Sequence, residues 1–342
     1  MSSHGFHVHG PHDHEVEHVA QHGGDSFTSR VAVLTAVPLF HVSGLLAHFL
    51  YSLRTGRRMV MMYKWDVEEA LRLIEREKIT AVAASTAMIA QLLGSPAFDT
   101  TATRSLTAIG LGGSGVTRRV VDLIEETRPN AMPGIGYGLT ESNGVGTISA
   151  GAIFRHKPTS SGVRVPIMEI CTIDAEGRPL PQGATGEICL KGAVVMSGYW
   201  RDAEATARVL RDGWFATGDV GYVDEEGFLF VVDRIKDIVN RGGEKISTAE
   251  VESCVSRLPA VAEVAGFALP DDDLGEVLAL AVRLHPGASL DEDALRAHVA
   301  EHLASFKVPA RVIFFDTDLP RNPSGKLLRR ALREQVEHGG DA

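Results

Sequence analysis

Cysteine is scarce in this chain: 342 residues contain three, Cys171, Cys189 and Cys254, with no C-x-x-C pair and no metal-type spacing. That excludes a disulfide framework and leaves the thiols as structural residues of a reducing compartment. Basic excess is lacking too. The net charge is −10 and the Lys and Arg residues are scattered, which argues against a nucleic-acid surface and leaves anionic ligands to be met by local groups. One stretch, Val31 to Leu53, carries no Lys, Arg, Asp or Glu, but Pro38, His41, Ser43 and His48 interrupt it. It reads as a buried strand, a turn and a helix, not as a transmembrane segment. Residues 1–30 have neither a basic start nor an apolar run, so the expected location is cytoplasmic, with any membrane association peripheral.

What is present suits an ordinary globular protein: 44% hydrophobic and 23% charged residues over a length sufficient for two domains. Seven of the 14 histidines fall in the first 22 residues, and His14-Glu15-Val16-Glu17-His18 matches H-E-x-x-H. Gly, Pro and acids surround that match, so no apolar stripe exists to dock a zinc-protease helix on a core. Residues 1–24 are therefore expected to be a disordered His-rich tail that picks up metal adventitiously. Strand and helix patterns alternate from residue 25 to about 150, short strands with turns follow to about 232, and strands and helices mix thereafter. The expected fold is α/β: a mostly parallel sheet plus a small β-barrel over 25–232, then a smaller α+β domain over 233–342. In the second part Ser247-Thr248-Ala249-Glu250 has the form of a capping box opening a helix through Leu258. Residues 261–269, 277–284 and 311–315 read as strands, and 290–303 as a helix.

Residues 110–115, GLGGSG, match the G-x-G-x-x-G of a dinucleotide-binding turn. Residues 105–111 can supply the strand before it, and 116–127 the helix after it, with Val116, Val120, Val121 and Ile124 at helical spacing. The acid needed about 20 residues on is missing, because AMPGIGYGLTE offers none before Glu141. The turn is better read as one where glycine lets the backbone pass close to something else.

Three further stretches carry chemistry. Tyr137-Gly138-Leu139-Thr140-Glu141 follows a Gly-rich strand end, where α/β sheets offer a ligand crevice. WFATGDVGYVDEEGFLFVVDRIKDIVNRGGEKIS (214–247) sets Asp219 and Arg234 on either side of a hairpin turning at Asp224 to Gly227. Pro320-Arg321-Asn322-Pro323-Ser324-Gly325-Lys326 places one lysine at a Gly-led helix start. Together with PLFHVSG, and in this order over residues 36–333, these stretches resemble the adenylate-forming (AMP-binding) superfamily of acyl-CoA synthetases, aryl-CoA ligases, luciferases and peptide-synthetase adenylation domains.

The resemblance implies a carboxylic acid–CoA ligase using ATP, Mg²⁺ and coenzyme A, with a fatty or other hydrophobic carboxylic acid as the expected substrate and an aryl acid as the alternative. It assigns Tyr137 to adenine stacking, Thr140 to phosphate, Glu141 to Mg²⁺, Asp219 to the ribose hydroxyls and Arg234 to the opposite side of the ribose. Gly113, Ser114, Gly136 and Gly138 would lie along the nucleotide. Lys326 would neutralise charge on the α-phosphate and carboxylate, so Lys326, Thr140 and Glu141 form the catalytic set. Lys236 would be the hinge on which the second domain turns as a mobile lid. His41, Gly112, Gly242 and Gly243 would line the acyl and CoA tunnel. One part of the pattern is missing: nothing in residues 1–35 resembles the family's phosphate loop, T-S-G-T-T-G-x-P-K, and no G-x-x-x-x-G-K-[ST] is present. Without such a loop the β- and γ-phosphates lose their cradle of backbone amides. The expectation is a truncated family member, prone to self-association, with a catalytically impaired remnant that binds AMP-like ligands or a partner chain as the alternative.

Overall fold

The structure, a computed structural model, describes residues 31–98, 103–113, 115–322 and 326–338. The His-rich tail with its H-E-x-x-H, Ser114, and the Pro323-Ser324-Gly325 segment before Lys326 lie outside the described residues. The alternation in the first part builds a seven-stranded sheet from β1 (Ala32–Thr35), β2 (Arg58–Met61), β3 (Ala81–Ser85), β4 (Ala108–Gly112), β5 (Met132–Tyr137), β6 (Thr147–Ala150) and β7 (Val163–Arg164), in the spatial order β2-β1-β3-β4-β5-β6-β7. The pairings through β5 are parallel, and those of β6 and β7 antiparallel. Helices Val67–Glu77, Thr86–Leu93 and Arg118–Thr127 cross between the parallel strands and share with them one apolar core that includes Leu34, Ile74, Ile89, Ile109 and Ile124. Local signals set their limits. The Asp66 and Ser85 side chains accept from the amides of Glu69 and Met88, each capping a helix start. The stretch after β1 departs from a simple α-helix, since Ser43–Leu50 winds as a π-helix before an α-helical turn, Tyr51–Thr55. Among the described residues no helix is long and apolar enough to cross a membrane.

The middle strands are β8 (Met168–Ile173), β9 (Gly186–Gly192), β10 (Leu210–Arg211), β11 (Trp214–Val223) and β12 (Leu229–Arg234). They form an antiparallel sheet ordered β10-β11-β9-β8, with β12 also on β11. A bridge between Val163 and Phe228 ties it to the first sheet. The last part adds β13 (Val239–Arg241), β14 (Glu244–Ile246), β15 (Val261–Asp271), β16 (Gly275–Leu284) and β17 (Arg311–Phe314), ordered β14-β13-β16-β15 with β17 parallel to β16. Helices Thr248–Val255 and Glu292–His302 share one apolar cluster of this sheet, and Leu332 of helix Arg329–His338 belongs to another.

The capping box at Ser247 is only half made. The Ser247 hydroxyl accepts from the Glu250 amide at 3.3 Å, but the Glu250 carboxylate pairs with Lys307 instead of turning back. The Ser247 hydroxyl donates in turn to Asp233, whose Oδ2 also accepts from the Thr248 hydroxyl and the Ala249 amide. A buried carboxylate 14 residues upstream thus takes over the capping work, favourably placed at the positive end of the helix. The helix stops at Val255, short of the expected Leu258, as its last turn tightens to i→i+3 bonds from the Arg257 and Leu258 amides ahead of Pro259.

Candidate functional site

The register of the β11–β12 hairpin sets Asp219 directly opposite Arg234. The turn that fixes this register closes with the Gly227 amide donating to the Asp224 carbonyl, and Gly227 takes a φ of +84°. On its other side β11 slips register against β9 between Ala216 and Val220. In that irregular stretch Gly218 takes a φ of +73°, its amide donates to Glu187, and the Asp219 amide donates to the Thr217 hydroxyl. Such a break re-aims a side chain out of the ladder, and here the side chain is Asp219. It is 3% exposed. Its Oδ1 lies 3.0 Å from Arg234 Nε, and its Oδ2 accepts from the Tyr137 hydroxyl at 2.8 Å.

Charge and burial compete at this carboxylate. Burial holds the Asp219 pKa above its ordinary value, opposed first by the Arg234 charge, then by the Tyr137 bond and by Lys326. Burial and the Asp219 charge both push Tyr137 up, so its hydroxyl stays a donor. Each Asp219 oxygen has two lone pairs and gives one to a protein donor, which leaves one on each oxygen for further bonds. The Tyr137 ring packs with the apolar cluster of Met168, Ile188, Leu190 and Leu229, and a Cβ added at Gly146 would meet its Cδ1 at 3.3 Å.

Tyr137 ends β5, and the chain then turns through Thr140–Ser142. Gly138 is required there: an added Cβ would sit 2.3 Å from the Gly144 carbonyl carbon. Thr140 is exposed and Glu141 half-buried. The Glu141 backbone carbonyl accepts from the Met196 amide, and its Oε1 accepts from the Tyr199 hydroxyl at 2.9 Å. Sequence reading did not find Tyr199, because its only link to Glu141 is spatial.

Lys326 lies in the same field. Lys326 is exposed as a residue, but partial desolvation of its ammonium, and then the charges of Arg234 and Lys236, hold its pKa below the ordinary lysine value, partly offset by Asp237 and Asp219. Its backbone is fixed by paired bonds with Asn322, the Lys326 amide to Oδ1 at 2.9 Å and the Asn322 amide to the Lys326 carbonyl at 2.8 Å. Lys236 is exposed in the one-turn 3₁₀ helix Ile235–Asp237, immediately after β12. Asp219, Arg234, Tyr137 and Lys326 are thus brought together.

The remaining predicted residues carry varied local demands, and among the described residues no side-chain hydrogen bond joins them to this group. Gly113 takes a φ of +77°, whereas a Cβ at Gly112 or Gly113 would meet nothing within 4 Å, and one at Gly136 only an ordinary contact. Gly242 and Gly243, with φ of +56° and +96°, form a two-residue hairpin turn between β13 and β14. Positive φ at both positions is what a type I′ turn needs. His41 is engaged locally, its Nδ1 2.7 Å from the Ser43 hydroxyl. Its neighbour Val42 would be 3.4 Å from a Cβ on Gly144, so the two loops adjoin.

The family model described as AMP-binding enzyme matches residues 1–200, and that described as AMP-binding enzyme C-terminal domain matches 250–326. Among curated proteins the chain is similar to the 2-succinylbenzoate–CoA ligase of Geobacillus kaustophilus, 39% identical over 89% of this chain and 61% of that one. It is also 32% identical to 4-coumarate–CoA ligase 5 of Oryza sativa subsp. japonica, over 90% of this chain and 58% of the relative. Among solved structures, o-succinylbenzoate coenzyme A synthetase from Bacillus subtilis, in complex with ATP and magnesium ion, matches with a TM-score of 0.76 at 32% identity, covering 95% of this chain and 65% of that one. The chain therefore spans about three fifths of the length of these curated relatives.

Proposed function

Because the chain belongs to the AMP-binding enzyme family, we propose that it performs the chemistry of an acid–CoA ligase through an acyl-adenylate. A substrate carboxylate attacks the α-phosphorus of ATP, forming acyl-AMP and releasing pyrophosphate. The CoA thiol then attacks the acyl carbon, loses its proton, and displaces AMP. The observation that carries this reading is Asp219, a buried carboxylate aimed out of a broken ladder between Tyr137 and Arg234, with Lys326 in its field. In this reading the spare lone pairs of Asp219 accept the two ribose hydroxyls and Arg234 meets the ribose from the other side. Tyr137 presents its ring to adenine beside Gly136 and Gly138, and Lys326 neutralises charge at the α-phosphate. Such preorganised charges stabilise the transition state without a covalent nucleophile.

The donor set near Thr140 suits Mg²⁺, a hard cation that takes oxygen ligands. Glu141 would hold it, with Tyr199 fixing one carboxylate oxygen and leaving the other to ligate. When bound, Mg²⁺ would neutralise phosphate charge. Residues 233–342 form the lid in this reading and Lys236 its hinge. Gly112, Gly242, Gly243 and His41 border the acyl and thiol path. The relatives' names favour an aromatic acid over a fatty acid as substrate class.

A second reading, an AMP-binding remnant without turnover, is favoured by the contacts of Asp219 with Tyr137 and Arg234, which in this proposal grip the nucleoside and not the triphosphate. Supplied with synthetic 4-coumaroyl-AMP or succinylbenzoyl-AMP and CoA, the chain is expected to release thioester without ATP, since this half needs no triphosphate cradle. Adenylate bound but not converted would support the remnant instead. Calorimetry should find AMP bound more tightly than Mg-ATP, and failure to bind either nucleotide would remove both readings.

Self-association belongs to the same proposal. Phe40, Leu45, Leu50, Tyr51, Leu53, Met61 and Tyr63 are all exposed large hydrophobic side chains on one short stretch, Phe40 at 82%. Apolar surface of this kind favours association. Sedimentation velocity is expected to show species larger than the monomer that grow with concentration, and a strict monomer throughout would refute it.

A further inference from the structure

Away from the residues proposed for the nucleotide, the second part of the chain brings a cysteine of one helix to two histidines of another. Cys254 lies near the end of helix Thr248–Val255, and His298 and His302 lie one turn apart on helix Glu292–His302. The Cys254 sulfur and one ring nitrogen from each histidine all lie within 4.8 Å of one another. The cysteine is buried, His298 half-buried and His302 exposed, so the cluster opens to solvent on one side only. The i, i+4 spacing stacks the two imidazoles on one helix face, with ring centroids 4.3 Å apart.

A backbone carbonyl holds one nitrogen of each ring. His298 Nε2 lies 3.2 Å from the Cys254 carbonyl oxygen, and His302 Nδ1 lies 2.8 Å from the His298 carbonyl oxygen. A carbonyl only accepts, so each of those nitrogens carries the proton in a neutral ring. The other nitrogen of each, Nδ1 of His298 and Nε2 of His302, is left with a lone pair. A ligating histidine commonly has its other N–H tied to a carbonyl in this way, which fixes both tautomer and orientation. We propose that Cys254, His298 and His302 form a transition-metal site for Zn²⁺ or a similar borderline cation, with water in the fourth position, that cross-links the two helices of the second domain.

The donor set supports this choice of metal. One thiolate and two imidazoles suit Zn²⁺ or Co²⁺, whereas Mg²⁺ and Ca²⁺ demand oxygen ligands. Binding would form a metal–sulfur bond and release the thiol proton to solvent. The consequence is mechanical. Helix Thr248–Val255 starts on Asp233, three residues before Lys236, so a metal joining it to helix Glu292–His302 stiffens the unit that would move on that hinge.

Co²⁺ added to the full, reduced chain tests the site against the His-rich tail. The tail contains no cysteine, so thiolate-to-cobalt charge-transfer absorption reports sulfur ligation alone. The expected result is a stoichiometric band that Zn²⁺ bleaches. Cys254→Ser should abolish it, and Cys171→Ser combined with Cys189→Ser should leave it intact. His302→Gln removes an exposed ligand without disturbing the core, and should weaken cobalt affinity at least about tenfold, judged by the losses known for supporting groups of metal sites. No band at stoichiometric Co²⁺ overturns the proposal. So does a band that survives Cys254→Ser, or an affinity unchanged by His302→Gln.

Discussion

Lys326→Ala is expected to slow acyl-adenylate formation by about 10²-fold or more, the cost of losing one preorganised charge partner of a developing anion. The assay is pyrophosphate exchange, run in a chain extended at its N-terminus with the phosphate-binding segment of a full-length relative. Thioester release from supplied acyl-AMP and CoA should be nearly unchanged in the same variant. Partial desolvation of the ammonium and the neighbouring Arg234 and Lys236 hold the Lys326 pKa below 10.5. Adenylation that needs the ammonium should therefore decline as pH rises through that lowered pKa, before an ordinary lysine would lose its proton. The sign for stability is opposite. Over the window between the lowered folded pKa and the ordinary unfolded one, the unfolded chain binds more protons, so stability rises with pH. Below that window the charged lysine costs stability, and Lys326→Ala should leave the melting temperature unchanged or raised at neutral pH. A lowered melting temperature matching the loss of rate would mean that the lysine is structural.

Lys236→Pro is expected to give the reverse pattern, with adenylation kept and thioester formation lost. Proline fixes φ near −65°, a value that a 3₁₀ turn already uses, so residue 236 itself accepts it while rotation at this position is blocked. A hinge must absorb its change of backbone angle at a few such residues, and an exposed side chain there adds no packing cost. Proline also restricts the residue before it, Ile235, so both half-reactions have to be followed in the same variant. Equal slowing of both halves would show that the two-pose mechanism does not apply to this chain.

Much of the fold was legible because its causes are local. Helical spacing of Val120, Val121 and Ile124 marked helix Arg118–Thr127, and all three are buried in it. Apolar runs marked β15 and β16. The turn at Asp224–Gly227 announced its hairpin through the backbone angle that glycine accepts, whereas the hairpin at Gly242-Gly243 emerged only in the structure. The capping signal at Ser247 was right about where the helix begins and wrong about the reciprocal bond, because the Glu250 carboxylate finds Lys307, 57 residues away. Motif order pointed to Tyr137, Asp219 and Arg234, but the bonds that join them were not in any motif.

By itself, then, the sequence determined the alternation of strands and helices, the positions of the tight turns, and which polar residues stand together in short motifs. Those features depend on periodicity, side-chain shape and φ preference within a few residues. Only the tertiary structure decided that Tyr137 donates to Asp219 across 82 residues, that Tyr199 holds Glu141 across 58, and that Cys254 meets His298 and His302 on a second helix. Such meetings are set by strand register and by the rotation at which helices pack on a sheet. Both minimise the free energy of the whole core, and no local stretch of residues encodes them.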